Sequence, residues 1–339
     1  MPHRYPRADS ASSVPEGRQG GEVPHTPLPD RITGCGVAHG DVQSTPQFRV
    51  DGEPVASVTA EEMAEVDRVA TDDVGLHLLS MMENAGRALA ATVREQTPGD
   101  ERVTVLAGGG GNGGGGLVAA RHLANAGRAV HVVLDRDREA YDGVPARQLG
   151  VLDATSATVG TALPADDGET DPSVATDAIS RSGTVVDALV GYGLQSAARG
   201  RVAELIEAAP AFDRVVSLDV PSGTNATTGE RPGVAVDPDA VVTLALPKPG
   251  LAAVAGNDDG YGRADDDGYG RDDDDGHGRD DDDGRGGNPD SRDGNPDSRE
   301  SADFLLADIG IPAGVYERAG IDYTDPFGSD DRVPLTVAE

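Results

Sequence analysis

From Arg102 to Ala126 the chain reads RVTVLA, GGGGNGGGG, LVAARHLANA, and a run of eight glycines around Asn112 leaves few folds open. The apolar run before it has the continuous pattern of a strand buried on both faces. The apolar spacing after it is helical and is closed by Gly127. A glycine run between a strand and a helix lets backbone N–H groups approach a phosphate closely at the helix N-terminus. The run also satisfies G-x-G-x-x-G through Gly108, Gly110 and Gly113, although poly-glycine does so trivially. No Lys-Ser/Thr follows, which excludes a P-loop. A second apolar run, 129–134, completes a βαβ unit of a length that suits a right-handed parallel crossover. It ends at Asp135, roughly where a dehydrogenase would hold a ribose hydroxyl.

The remaining pattern extends this unit. Thr59 to Glu62 fit a capping box, and Met63, Val66, Val69 and Ala70 follow at helical spacing. A second helix is predicted through Leu78, Met82, Ala85, Leu89 and Val93, with Gly86 inside it marking a close backbone approach. Strands are predicted at 184–189, 214–219, 240–246 and 304–308, with a helix at 202–209 and one helix within the ambiguous stretch 144–163. Strands alternating with helices give an α/β fold with a mostly parallel sheet covered on both faces. The expected ordered domain is 58–323, interrupted by an acidic insert at 256–302. Residues 1–57 are expected to be a disordered extension, and 324–339 a C-terminal tail.

Charge sets the outer limits. The net charge is −32. Residues 257–300 hold 17 acidic side chains and 6 arginines, so the larger share of the excess lies outside the insert. An acidity this general repels itself at low salt and suits a salt-rich cytoplasm. It argues against nucleic acid, whose phosphates need clustered Lys and Arg. The insert repeats at periods of eight and seven; aligning its glycines to an EF-hand puts arginine at the first ligand position, so the reading is a solvated loop. The single cysteine, Cys35, allows no intramolecular disulfide. There is no apolar run long enough to span a membrane and no signal-peptide pattern, so the expected location is cytoplasmic.

Polar groups cluster at the ends of the predicted strands. Asp187 precedes the loop Gly191-Tyr192-Gly193-Leu194, and Asp219 opens Pro221-Ser222-Gly223. In an open parallel sheet, ligands bind outside the carboxyl ends of the strands. Asn112, Asp187, Asp219 and Ser222 could therefore converge on one crevice.

In their order, five motifs resemble the NAD(P)H-hydrate epimerases, the YjeF N-terminal domain. These are Thr59–Met63, Met82–Gly86, the loop 108–116 with LVAARHL, Asp187–Leu194 and Asp219–Gly223, and the likeness covers the whole ordered region. Lys248-Pro249-Gly250 and Ala307–Pro312 are also similar to that family's closing segments. The resemblance implies a Rossmann-like three-layer αβα sandwich. It also implies epimerisation at C6 of hydrated NADH or NADPH, for repair together with a separate ADP/ATP-dependent dehydratase. One potassium ion per subunit would be held by Asn112, Asp187 and Ser222, all through oxygen. The substrate would meet Gly111, Asn112, Gly113, Gly114 and Gly115, then Gly191, Tyr192, Gly193, Leu194, Gln195, Ser196 and Ala197, and Asp219. A homodimer is the expected assembly.

Two departures accompany the resemblance. The family's first loop carries an asparagine and an aspartate where this chain has Gly111 and Gly115. Asp219 is then the expected catalytic acid/base, because a partly buried carboxylate can be tuned for proton transfer. Lys248 is the single lysine in a chain that otherwise uses arginine, which points to a site needing a compact ammonium against substrate or Asp219. A non-catalytic binding or dimerisation module on the same fold remains an alternative, as does an NAD-dependent dehydrogenase.

Overall fold

A computed structural model describes residues 47–99, 101–161, 183–211, 213–256 and 302–338. Most of the N-terminal arm, with Cys35, and the acidic repeats lie outside the described residues. In chain order the strands are β1 (Gln47–Val50), β2 (Glu53–Val55), β3 (Val103–Ala107), β4 (Val130–Leu134), β5 (Thr158–Thr161), β6 (Thr184–Ala188), β7 (Arg214–Leu218), β8 (Ala240–Leu244), β9 (Asp303–Ala307), β10 (Arg332–Pro334) and β11 (Thr336–Ala338). The helices are α1 (Ala60–Arg68), α2 (Leu78–Gln96), α3 (Gly111–Asn125), α4 (Gly143–Leu152), α5 (Arg201–Ala208), α6 (Leu251–Ala255) and α7 (Ala313–Arg318).

Eight strands form one sheet in the order β10-β9-β8-β7-β6-β3-β4-β5. Every pair is parallel except β9–β10. The chain winds outward from β3 through β4 to β5, then returns to place β6 on the other side of β3 and winds outward again. The order thus reverses between β3 and β6, and a crevice opens at such a switch point beyond the strand ends.

Successive β3 residues point to opposite faces, as strand geometry requires. Val105 and Ala107 pack with α2, α3 and α4, whereas Leu106 packs with Leu205 and Ile206 of α5. Farther along, Val241, Phe304 and Leu306 are covered by α6 and by Phe48 and Val50 of β1. Both faces are therefore sheathed, as expected of the αβα sandwich.

Thr59 caps α1 as anticipated: its Oγ1 accepts from the Glu62 N–H at 3.2 Å, and Glu62 accepts from the Thr59 N–H at 2.8 Å. Gly86 allows α2 to lie against α3, since a Cβ there would sit 2.4 Å from Val118 Cβ. The six strands expected from 102 onward and the helix at 202–209 are present within a residue or two at each end, and the ambiguous stretch holds α4 followed by β5.

Three expectations are corrected. Helix α3 begins at Gly111 and not near Leu117, because packing overrides the low helix propensity of glycine there. Strands β1 and β2 lie ahead of the expected boundary at 58. The tail after 323 contributes β10 and β11, which pair with β9 and β1 respectively. These are short edge strands whose partners are distant in sequence, so their own patterns carry little signal.

Candidate active site

A cavity of about 420 Å³ opens at the switch point, at the carboxyl ends of β3, β6 and β7. Its walls include Gly111, Asn112 and Gly115 of α3, Gly191, Tyr192 and Gly193 after β6, Asp219 after β7, and Lys248 after β8. The predicted loops thus converge. Gly113 and Gly114 do not line it. They face the packing side of α3, where a Cβ would meet the Gly108 carbonyl or the Met82 side chain. Leu194, Gln195, Ser196 and Ala197 also fall outside the wall, with Gln195 and Ser196 exposed to solvent.

Asp219 and Lys248 form the charged centre. Lys248 Nζ donates to Asp219 Oδ1 at 2.5 Å and to the Leu244 carbonyl at 2.8 Å, with Lys248 wholly buried and Asp219 3% exposed. The Tyr192 N–H donates to the other oxygen, Asp219 Oδ2, at 3.0 Å. Asp219 also has φ of 67°, a left-handed conformation costing a non-glycine residue on the order of 1–2 kcal/mol. Strain of this kind persists where surrounding contacts over-determine it, and it clusters at functional sites. Gly191 permits the arrangement: a Cβ there would stand 2.8 Å from Asp219 Oδ2 and 3.1 Å from Asn112 Oδ1.

Behind this centre, Asp187 is fully buried and accepts four hydrogen bonds. Oδ1 receives Ser222 Oγ at 2.5 Å and the Leu189 N–H at 3.3 Å. Oδ2 receives Ser217 Oγ at 2.8 Å and the Ser222 N–H at 2.9 Å. Burial pushes its carboxyl above the usual carboxylate range, and the Ser222 and Ser217 bonds pull the other way. Asn112 Nδ2 is buried with no hydrogen-bond partner among the described residues. The two ends of a carboxamide are nearly isosteric, so turning this one over would present oxygen instead. Of Asn112, Asp187 and Ser222, Asn112 lines the cavity, whereas Asp187 and Ser222 lie off its wall and bond to each other. Asp187 has no cationic partner among the described residues, and all three carry the oxygen donors a hard cation takes.

The cavity also holds residues that the motifs did not single out. Asp67 of α1 lines it, with Oδ2 accepting from Tyr192 Oη at 2.5 Å. Its signal was legible: Asp67 lies four residues after Met63, on the stripe that Val66 and Ala70 bury. Arg136 lines the opposite lip over Gly109 and grips Asp135 through two bonds, at 2.9 and 2.7 Å. Tyr141 Oη donates to the same carboxylate at 3.1 Å. Asp135, which a dehydrogenase would offer to a ribose, is therefore already engaged.

The family described as YjeF-related protein N-terminus matches residues 78–250. An NAD(P)H-hydrate epimerase of Dehalogenimonas lykanthroporepellens is 36% identical over 294 residues, covering 85% of this chain and 96% of that protein. A bifunctional NAD(P)H-hydrate repair enzyme Nnr of Hyperthermus butylicus is 38% identical over 200 residues, or 58% of this chain, and the match takes in 35% of that protein. Among solved structures, yeast YNL200c superposes with a TM-score of 0.58 at 22% identity, covering 83% of this chain and 100% of that one, a likeness of fold. With the fold, the match and the near full-length relative in agreement, the chain belongs to the YjeF-related protein N-terminus family.

Proposed function

We propose that this protein is an isomerase that interconverts the R and S epimers of hydrated NADH and NADPH at C6 of the nicotinamide ring. The observation that carries the reading is the buried Asp219–Lys248 pair at the wall of the switch-point cavity, in a chain similar along most of its length to a protein named for that activity. The glycine-lined mouth at Gly109–Gly111 admits a dinucleotide close to the backbone at the N-terminus of α3. Asp219 is the proton-transfer group, and Lys248 fixes its orientation from beneath. Asn112, Asp187 and Ser222 would hold one potassium ion, which supplies positive charge beside the substrate.

Repair of both epimers implies a dehydratase acting on the product, and we assign the protein to the cytoplasm as a homodimer. Among the described residues no helix is long and apolar enough to cross a membrane. The test is chromatographic: resolve the epimers, add protein in concentrated KCl, and follow the approach to equilibrium. Acceleration that is lost in Asp219→Ala supports the reading. Folded protein without acceleration at any salt moves it to a non-catalytic binding module.

A further inference from the structure

Inverting one carbon through a planar state requires proton traffic at both of its faces, and Asp219 stands at one place in the cavity. A second carboxylate stands elsewhere on the wall. Asp67 reaches the cavity from α1, and Tyr192 spans the two acids, its backbone N–H on Asp219 Oδ2 and its phenol Oη on Asp67 Oδ2. The carboxylates are thus held about one tyrosine apart with the cavity beside them. No described side chain or backbone group occupies Asp67 Oδ1, so that oxygen is available to a ligand.

We propose that Asp67, oriented by Tyr192, is a second proton-transfer group of the cavity, serving the face of the reacting carbon that Asp219 does not. The inference rests on the epimerase reading. A proton passes from Asp67 Oδ1 to the C6 hydroxyl as the C6–O bond breaks and water departs. The ring nitrogen's lone pair closes a C6=N bond. Water then adds to the other face, the C6–O bond re-forms, the nitrogen recovers its pair, and Asp219 takes the released proton. The opposite direction exchanges the two roles, and between turnovers Asp219 loses and Asp67 regains a proton through solvent.

The surroundings of Asp67 suit the acid role. Burial is the largest influence and pushes its carboxyl above the ordinary range; the Tyr192 hydrogen bond and the Lys248 charge oppose this, while the Asp219 charge adds to it. Tyr316 of α7 is the other titratable group near it, and burial raises that phenol, as it does Tyr192. The acid form of Asp67 therefore persists to higher pH than that of an exposed aspartate.

Three proteins test this in the epimer assay. Asp67→Asn keeps an acceptor for Tyr192 but has no proton to give. Its kcat is expected to fall about 10²- to 10⁴-fold, with binding of hydrated dinucleotide within a few-fold of the parent and the alkaline limb of the pH profile lost. Tyr192→Phe removes the bond that holds the Asp67 pKa down, so its alkaline limb should move to higher pH. Folded Asp67→Asn with unchanged kcat and limb overturns the proposal. So does a loss of binding that accounts for the whole fall, which would leave Asp67 a structural anchor. A parent protein that does not accelerate epimerisation overturns the underlying reading and the proposal with it.

Discussion

At the scale of single residues, the buried pair of Lys248 and Asp219 ties stability to activity. Removing one partner of a buried ion pair leaves an uncompensated charge and costs on the order of 3–5 kcal/mol. Asp219→Ala should therefore lower the denaturation midpoint as well as abolish turnover, because Lys248 has no water to turn to. The double variant Asp219→Asn, Lys248→Met carries no such charge. Its midpoint should recover most of the loss while activity stays absent, and denaturant melts beside the epimer assay separate the two effects. A double variant as unstable as Asp219→Ala would mean that the hydrogen bonds of the carboxylate, and not the uncompensated charge, govern this position.

Asp67 makes a pH prediction at the same scale. Its folded carboxyl is raised above 3.8, chiefly by burial. Between the unfolded and the raised value the folded state holds the proton more tightly. The contribution is thus fully present below about pH 4 and is lost as pH rises through the raised value. Asp67→Asn removes that dependence, so the fall in unfolding free energy between about pH 4 and pH 8 should be shallower in the variant. Equal slopes in urea titrations of the two proteins would exclude Asp67 as a source of it. Asp67 could be found in the sequence only by noticing an acid on an apolar stripe. That its partner is Tyr192 depends on chain folding over 125 residues of separation.

At the scale of elements, α3 is the place where the glycine run lies at the cavity, as its pattern suggested, but in a helix and not in a loop. Nine residues rich in glycine read as a loop because glycine is a poor helix former. Six of them lie in the helix, and at four of these, Gly113 to Gly116, there is no room for a side chain. A Cβ at Gly113 would come within 1.6 Å of the Gly108 carbonyl oxygen, and one at Gly116 within 2.5 Å of Ala188 Cβ. Gly111, in the same helix, has nothing within 4 Å. Gly113→Ala should therefore destabilise by about 1–3 kcal/mol or more through overpacking against rigid backbone. Gly111→Ala should be neutral or gain up to about 1 kcal/mol from helix propensity. Thermal melts should show a lowered midpoint for Gly113→Ala and an unchanged or raised one for Gly111→Ala, and equal losses in both would refute close packing as the reason for the glycines. The β1–β2 hairpin is the complementary case. Asp51 and Gly52 both have positive φ, as a tight two-residue turn requires, yet the hairpin falls in the stretch 1–57 that was expected to be disordered, because its flanks Gln47–Val50 and Glu53–Val55 are short and mixed in polarity.

At the scale of the whole molecule, six inner strands of the large sheet, β3, β4 and β6 to β9, could be read one by one but their order could not. A buried parallel strand is apolar throughout and says nothing about its neighbours, so the reversal between β3 and β6 that creates the cavity appears only in three dimensions. Charge acts at this scale too. With −32 formal charges and one lysine, the folded chain repels itself, and added salt should raise its melting temperature steeply. Screening depends on ionic strength and is indifferent to which monovalent cation supplies it. Melting in KCl and in NaCl from about 0.1 M to about 2 M should thus give two rising curves with a common shape. A cation held by Asn112, Asp187 and Ser222, as proposed, would bind the folded state alone and would add a stabilisation that grows with the logarithm of its concentration once the site fills. The expected result is a KCl curve lying above the NaCl curve, with the gap closed in Asp187→Asn. Superposed curves in the parent protein would assign all of the salt response to general charge repulsion and remove potassium selectivity from the site.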